Sequence, residues 1–145
     1  MIRIRNFRPA DTEKILEFKE KSVKLNFPGT DFDRKMFRKI LLRSSKRNPD
    51  YIKVAEDDGK IAGYVWFKTV DSAVGEFGRI EHIFVDPSFR RSGLGKKLME
   101  ASEVCMKAEG MKRVKLTVTC KNEAAVSLYE KMGYRTERFV MERDL

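Results

Sequence analysis

The stretch from Gly78 to Met99 constrains the fold of this chain more than any other. It begins with a strand-like run, continues through a turn at Pro87, and reaches the basic glycine loop Arg90-Arg-Ser-Gly-Leu-Gly95, which leads into an amphipathic segment. The pattern predicts a strand, a turn, a loop and the start of a helix. Backbone N–H groups at a helix start have no internal partner, and glycine lets an anion approach them closely. We therefore expect this loop to bind a phosphate diester or a pyrophosphate.

Two familiar glycine motifs do not fit this loop. A dinucleotide-binding fingerprint needs a third glycine where the chain has Leu98. A P-loop needs Ser or Thr after Gly95-Lys96 as a magnesium ligand, and the chain has Lys97 there. The loop therefore does not indicate hydride transfer or nucleotide hydrolysis, and a plain tight turn stays the alternative on this stretch alone.

The remaining elements alternate between strands and helices. The Asp57-Asp-Gly59 sequence between apolar runs is a strong hairpin signal, and residues 61–67 are apolar on both faces, which predicts a covered central strand with Trp66 in the core. The class is α/β, with a mixed sheet, helices on both faces and a single domain over residues 1–145. Strands are predicted at 3–7, 51–56, 60–70, 114–119 and 134–143, helices at 11–24, from Asp31 or Asp33 through Leu41, at 94–109 and at 122–133, and loops at 44–50 and 71–77.

The charge balance favours an anionic ligand. The 145-residue chain has a formal net charge of +9 and a pI near 9.6, which suits a phosphorylated cofactor or nucleic acid, although Lys and Arg spread over solvated faces would give the same total. The basic stretches lack interleaved aromatic residues and any recognition motif, so nucleic acid is the less favoured partner. Cys105, Cys120 and a single histidine do not make a metal site.

No hydrophobic segment suggests a membrane or export. The longest apolar run, at 61–67, falls well short of the roughly 18 residues that a membrane span requires. The start of the chain, Met1-Ile-Arg-Ile-Arg5, lacks the apolar core of a signal peptide. We therefore expect a cytoplasmic protein that binds no membrane.

Two motifs together resemble those of the GNAT superfamily of acetyl-CoA-dependent N-acetyltransferases. The first is Arg90-x-x-Gly93-x-Gly95 following Val85-Asp-Pro87, and the second runs from Asn122 to Tyr134. The resemblance implies a mostly antiparallel sheet with one splayed parallel strand pair. It also implies acetyl-CoA as co-substrate and transfer of the acetyl group to a primary amine, either on a protein or on a small molecule. The alternative is a non-catalytic acyl-CoA-binding regulatory module of the same fold.

The resemblance also assigns residues to cofactor binding. The pantetheine arm would lie in the gap of the splayed pair, bonded to the backbone of Ile83 and Val85 with Phe84 between them. Asn122 matches a position whose side chain reaches the pantetheine, although a helix N-cap is an equally good description of it. The loop from Arg90 onward would hold the pyrophosphate on the backbone amides of Arg91, Ser92, Gly93, Leu94, Gly95 and Lys96, with Lys97 adding attraction.

For catalysis, the resemblance points to Tyr129 and Glu81. Tyr129 would protonate the coenzyme A thiolate, a role that suits a phenol, although the residue also fits an apolar helix face. Glu81 would take the proton of the incoming amine, or it would simply pair with Arg79 or a lysine. On a regular strand His82 faces away from Glu81, and we interpret it as structural. The amide of Val85 would be the oxyanion donor.

Two departures from the family pattern bear on the acceptor. The protein N-terminal acetyltransferases usually carry a glutamate where this chain has Thr117, which puts that substrate class in doubt. Only residues 134–145 follow the last helix, which leaves little room for the loop that often roofs the acceptor site. We therefore expect an open acceptor groove walled by the first two helices, with a homodimer as one way to complete it.

Overall fold

A computed structural model describes all residues from Met1 to Leu145. Its five strands form one sheet in the order β1-β2-β3-β4-β5, and every neighbouring pair is antiparallel except β4 and β5, which are parallel. The mixed, mostly antiparallel sheet is confirmed. The elements are β1 (Ile2–Asn6), α1 (Thr12–Asn26), α2 (Arg34–Arg47), β2 (Ile52–Asp57), β3 (Lys60–Ser72), β4 (Gly75–Val85), α3 (Leu94–Ala108), β5 (Val114–Leu116) and α4 (Glu123–Lys131).

Helices cover both faces of the sheet, as expected. Helices α1 and α2 pack on one face in an apolar cluster that includes Phe18, Leu41 and Tyr64. Helices α3 and α4 pack on the other face in a cluster that includes Leu98 and Tyr129. Because β3 contributes alternate side chains to both clusters, it is the buried central strand that the sequence predicts.

The two hairpins differ in how well the sequence predicts them. Asp58 and Gly59 both have positive φ, 48° and 81°, as the two central residues of a type I′ turn require, and this hairpin is confirmed. The predicted loop at 71–77 is wrong. There β3 and β4 stay paired up to Ser72 and Gly75, since a long hairpin supplies ladder hydrogen bonds to residues of low intrinsic strand propensity.

Helix α2 continues through residues predicted as a loop. It reaches Arg47, and the Asn48 N–H donates to the Ser44 carbonyl at 2.9 Å. The basic residues that suggested a loop lie in its last turn, where cations interact favourably with the helix dipole. Asn48 is the C-cap, and Pro49 after it prevents the helix from continuing.

The predicted strand at 134–143 is absent. Phe139, Val140 and Met141 are more than 80% exposed, and residues after Tyr134 pair with no strand. An extended segment forms a strand only beside a partner, and the neighbouring edge strand β5 is three residues long.

No helix of the structure combines the length and apolarity needed to cross a bilayer.

Candidate functional site

Strands β4 and β5 separate after a short paired segment. Their pairing ends at Ile80 and Leu116, and β4 continues to Val85 without a partner on that edge. On its other edge, the Asp86 N–H donates to the Ala62 carbonyl at 2.8 Å. Because the backbone groups of an antiparallel strand alternate in direction, those of Ile83 and Val85 face the gap. The structure therefore presents the backbone of both residues to the space between the parallel strands.

The glycine loop at the end of β4 exposes a run of backbone donors. None of the N–H groups from Arg91 to Lys96 has a hydrogen-bond partner within the chain, and Lys97 N–H is the first to bond, to the Gly93 carbonyl at 3.1 Å. Arg91 and Gly93 have positive φ values of 66° and 76°. Such left-handed residues turn successive N–H groups toward one side and form an anion-binding concavity. We call residues 91–96 the amide cradle.

Local contacts shape the turn before the amide cradle and the helix start within it. The backbone and hydroxyl of Ser88 both donate to the Asp86 carboxylate, at 2.9 and 2.7 Å, and the backbone bond is the main cause of the lowered pKa of Asp86. A Cβ at Gly95 would lie 3.3 Å from the Leu128 side chain, so glycine lets α3 lie close to α4. The first turn of α3 contains Lys96 and Lys97 and has no acidic residue. Cations are unfavourable at that end of a helix unless an anion binds there.

The Tyr129 side chain is buried with an unpaired hydroxyl. It is 8% exposed and belongs to the apolar cluster that also contains Ile83 and Val85. Its ring packs edge-on against Tyr134, with the centroids 5.9 Å apart, whereas the Tyr134 hydroxyl donates to Glu103 at 2.6 Å. Burial raises the pKa of Tyr129 to about 12. The phenol therefore stays protonated at neutral pH and is able to donate a proton.

Asn122 caps α4. Its Oδ1 accepts a hydrogen bond from the Ala125 N–H at 3.3 Å, and the residue is exposed. Its Nδ2 makes no hydrogen bond within the chain, so the amide nitrogen is available to a ligand while the oxygen caps the helix.

A cavity of about 310 Å³ lies between α2 and the sheet, on the α1 and α2 face. A larger cavity, about 360 Å³ and lined by Lys14, Gly59 and Asp86 among others, contains none of the predicted site residues. Because the smaller cavity contains Glu81, it is the one that bears on the predicted chemistry. It is lined by Phe37, Ile40, Ser44, Trp66, Lys68, Glu81 and His82.

A bulge in β4 brings two consecutive side chains into this cavity. Trp66 pairs with His82 and Phe67 pairs with Ile80, so Glu81 is an extra residue in β4. A bulge of this kind interrupts the alternation of faces, and Glu81 and His82 consequently lie on the same side. The expectation that His82 faces away from Glu81 is wrong. Its ring packs 5.5 Å from Phe37 and 5.2 Å from Trp66, as a structural residue would.

Each of these two residues has a lysine beside it. Glu81 Oε1 is buried and lies 3.1 Å from Lys68 Nζ, at ion-pair distance but without hydrogen-bond alignment. His82 Nδ1 lies 2.8 Å from Lys19 Nζ. Burial, and secondarily Lys19, lowers the pKa of His82 to about 3, and burial lowers the pKa of Lys19. An ammonium only donates hydrogen bonds, so Nδ1 accepts and the ring proton of His82 is on Nε2.

Sequence reasoning did not assign Lys19 or Lys68 to this site. Lys19 lies 63 residues before His82 in the chain, and no local pattern relates the two. Lys68 continues the strand alternation past Trp66 on the same face. The alternation alone was therefore a usable signal for Lys68, whereas nothing in the sequence indicated Lys19.

The fold, with its opened strand pair, is the fold of solved acetyltransferase structures. The sequence model of the Acetyltransferase (GNAT) family matches residues 16–134, and the chain belongs to this family.

Similar proteins agree with this assignment. An uncharacterized N-acetyltransferase of Methanocaldococcus jannaschii is 29% identical over 94% of this chain and 62% of its own length, so the chain spans less than two thirds of that relative. A GCN5-related N-acetyltransferase of Ralstonia eutropha superimposes with a TM-score of 0.84 at 21% identity, covering 99% of both chains. A predicted acetyltransferase of Clostridium acetobutylicum, solved with acetyl-CoA, gives 0.82 at 14% identity, over 99% of this chain and 96% of its own.

Proposed function

We propose that this protein transfers the acetyl group of acetyl-CoA to a primary amine, on a protein or on a small molecule, by direct attack of the amine. The observation that carries the proposal is the run of unpaired N–H groups from Arg91 to Lys96 beside the gap between β4 and β5. A diphosphate accepts hydrogen bonds from such a run, and an extended arm attached to it has the backbone of Ile83 and Val85 to pair with. The acetyl-CoA bound to the Clostridium protein supports the same co-substrate here.

The thioester of bound acetyl-CoA supplies the activated acetyl group. The Val85 N–H, on the edge of β4 that faces the gap, is the donor that would hold the carbonyl oxygen as negative charge develops on it. The Tyr129 hydroxyl, protonated and without another partner, would give its proton to the departing sulfur. The bond that breaks is the thioester C–S bond. The Val85 N–H would act at its carbonyl end, and the Tyr129 hydroxyl would act at its sulfur end.

Glu81 is the candidate base on the acceptor side. Its carboxylate already faces the ammonium of Lys68 at 3.1 Å in the cavity. A protonated amine acceptor carries the same kind of ammonium group as Lys68. It would lose a proton to Glu81 before its nitrogen attacks the thioester. His82 is not the base, because a pKa of about 3 leaves its ring a very weak proton acceptor at neutral pH.

The test combines cofactor binding with turnover. Calorimetry with acetyl-CoA should show binding, and thiol release with a panel of primary amines should show transfer. Glu81→Gln should lower kcat by about a hundredfold, the usual size of a general-base contribution, while acetyl-CoA affinity is unchanged. Binding without turnover for any amine would leave only a coenzyme A-binding module, and no binding at all would overturn the proposal.

A further inference from the structure

Three cations form a row across three neighbouring strands. In the sheet register Lys68 of β3 is the cross-strand partner of Arg79 of β4, and Arg79 is the partner of Lys115 of β5. Cross-strand partners project from the same face of a sheet. We call these three residues the cation row. It begins at the cavity that contains Glu81, because Lys68 lines that cavity.

The carboxylates beside the cation row do not balance it. Lys68 pairs with Glu81 at 3.1 Å, and Lys115 pairs with Glu137 at 2.9 Å. Glu137 is shared with Arg138, at 3.6 Å. Arg79, in the middle, is exposed and has no carboxylate oxygen within 4 Å. Like charges on directly opposed strand positions repel one another. An anion bound at Arg79 would therefore reduce the repulsion among the three cations of the row.

An aromatic ring holds the middle of the cation row in place. Phe77 is buried, and both Arg79 and Lys115 lie over its ring, at 5.4 and 4.7 Å from the centroid. A guanidinium resting on a ring keeps its N–H groups free to bind a planar anion with two parallel hydrogen bonds. Arg79 is therefore positioned to recognise a carboxylate.

Arg79 of the cation row and the candidate base Glu81 are close neighbours on β4. Arg79 and Glu81 are two residues apart on β4, which corresponds to roughly 7 Å along a strand. With this backbone spacing, an acceptor whose amine is bound at Glu81 would place a carboxylate a few bonds away near Arg79. The His82 Nε2–H adds a further hydrogen-bond donor from the cavity wall.

We infer, on the basis of the proposed function, that the acceptor is an acidic primary amine whose carboxylate, a few bonds from the amino group, binds to Arg79 between Lys68 and Lys115. The same row repels polycationic amines. A free acidic amino acid and a peptide with an acidic residue beside its amino terminus share this chemistry.

The experiment compares matched acceptors. Thiol release is measured with C-terminally amidated peptides that differ only at the second residue, Ala-Asp, Ala-Asn and Ala-Lys, so that Ala-Asp alone has a carboxylate. Free glutamate, free glutamine and spermidine are measured beside them. We expect kcat/KM to favour Ala-Asp over Ala-Asn by about tenfold, the size of a hydrogen-bonded charge pair, and Ala-Lys and spermidine to be the poorest. A higher kcat/KM for glutamate than for Ala-Asp would identify the free amino acid as the source, and the reverse order would identify the amino terminus.

Two variants assign the preference to the cation row. Arg79→Gln should bring the ratio of kcat/KM for Ala-Asp and Ala-Asn close to one. Lys107→Gln, which removes the same charge from an exposed position of α3, should leave that ratio unchanged. An unchanged ratio in Arg79→Gln, or equal rates for Ala-Asp and Ala-Lys, would overturn the inference while leaving the acetyltransferase proposal intact.

A binding measurement separates the two proposals. Absence of turnover with every amine counts against the proposed function. The inference then depends on calorimetry with the N-acetylated Ala-Asp and Ala-Lys peptides added to protein saturated with coenzyme A. Tighter binding of the acidic peptide, lost in Arg79→Gln, supports the inference, and equal binding of the two peptides contradicts it.

Discussion

Glu81 and His82 are consecutive residues of β4, and both side chains line the cavity between α2 and the sheet. The bulge that permits this arrangement places a carboxylate beside a ring whose proton is held on Nε2 by Lys19. A carboxylate and an imidazole therefore lie together on one side of the sheet. The amide cradle lies beyond the end of the same strand.

Removing the Tyr129 hydroxyl should affect chemistry rather than binding. In Tyr129→Phe we expect kcat to fall by about a hundredfold or more, because the leaving sulfur loses its proton donor. The hydroxyl has no partner within the chain, so stability and acetyl-CoA affinity should change little. Steady-state kinetics and calorimetry check this, with Tyr134→Phe as the matched variant. A normal kcat would remove Tyr129 from the mechanism.

The amide cradle should not tolerate a side chain. Gly93→Val should abolish acetyl-CoA binding in calorimetry, because a branched side chain would crowd the N–H groups around it. The control is Gly110→Val, since Gly110 also has a positive φ, 90° against 76°, and ends α3 away from the cradle. Both variants should lose stability from backbone strain, by roughly 1–2 kcal/mol or more. Equal loss of binding in both would show that instability, not the cradle, is responsible.

Binding at the amide cradle should also be sensitive to salt. Because Lys96 and Lys97 are exposed, their attraction for a diphosphate is screened as ionic strength rises. Replacing both by Gln should weaken acetyl-CoA binding and reduce its salt dependence. The measurement is calorimetry at two or more salt concentrations, and a salt dependence identical to that of the unaltered protein would contradict the prediction.

His82 should make stability depend on pH. Its pKa is about 3 in the folded protein, whereas an unperturbed histidine has 6.5. Between these values the unfolded chain binds the extra proton, so stability falls as pH drops below about 6.5. From pH 7 to pH 5 this costs on the order of 2 kcal/mol. Denaturant unfolding at both pH values should show that the free energy of unfolding falls less from pH 7 to pH 5 in His82→Phe than in the unaltered protein. An equal fall in the two proteins would contradict the prediction.

Close backbone packing should make Gly63 sensitive to substitution. A Cβ there would lie 2.6 Å from the Phe84 carbonyl oxygen, whereas a Cβ at Gly78 would meet the Met106 side chain. Backbone in a central strand pair cannot give way, but a methionine is able to rotate. Gly63→Ala should therefore lower the free energy of unfolding by about 1–3 kcal/mol, and Gly78→Ala by less. Denaturant unfolding measures both, and the reverse order would show that the sheet adjusts more easily than the helix.

Sequence reasoning worked best where the structure is local. The type I′ hairpin at Asp58-Gly59 and the caps of α2 and α4 each depend on residues within a few positions of one another. It failed at 71–77 and 134–143, where strand formation depends on whether a partner strand is present. Gly75 is paired because β3 continues beside it, and Phe139 is exposed because no strand lies next to it.

The sequence by itself determined the loop of unpaired amides from Arg91 to Lys96, because helix starts and left-handed glycines follow from short-range sterics and hydrogen bonding. Only the tertiary structure decided the surroundings of Glu81. Strand register made Glu81 the extra residue of a bulge and placed Arg79 in the cation row, and the packing of α1 brought Lys19 to His82. Register and helix docking depend on contacts between residues far apart in the chain, which no local pattern encodes.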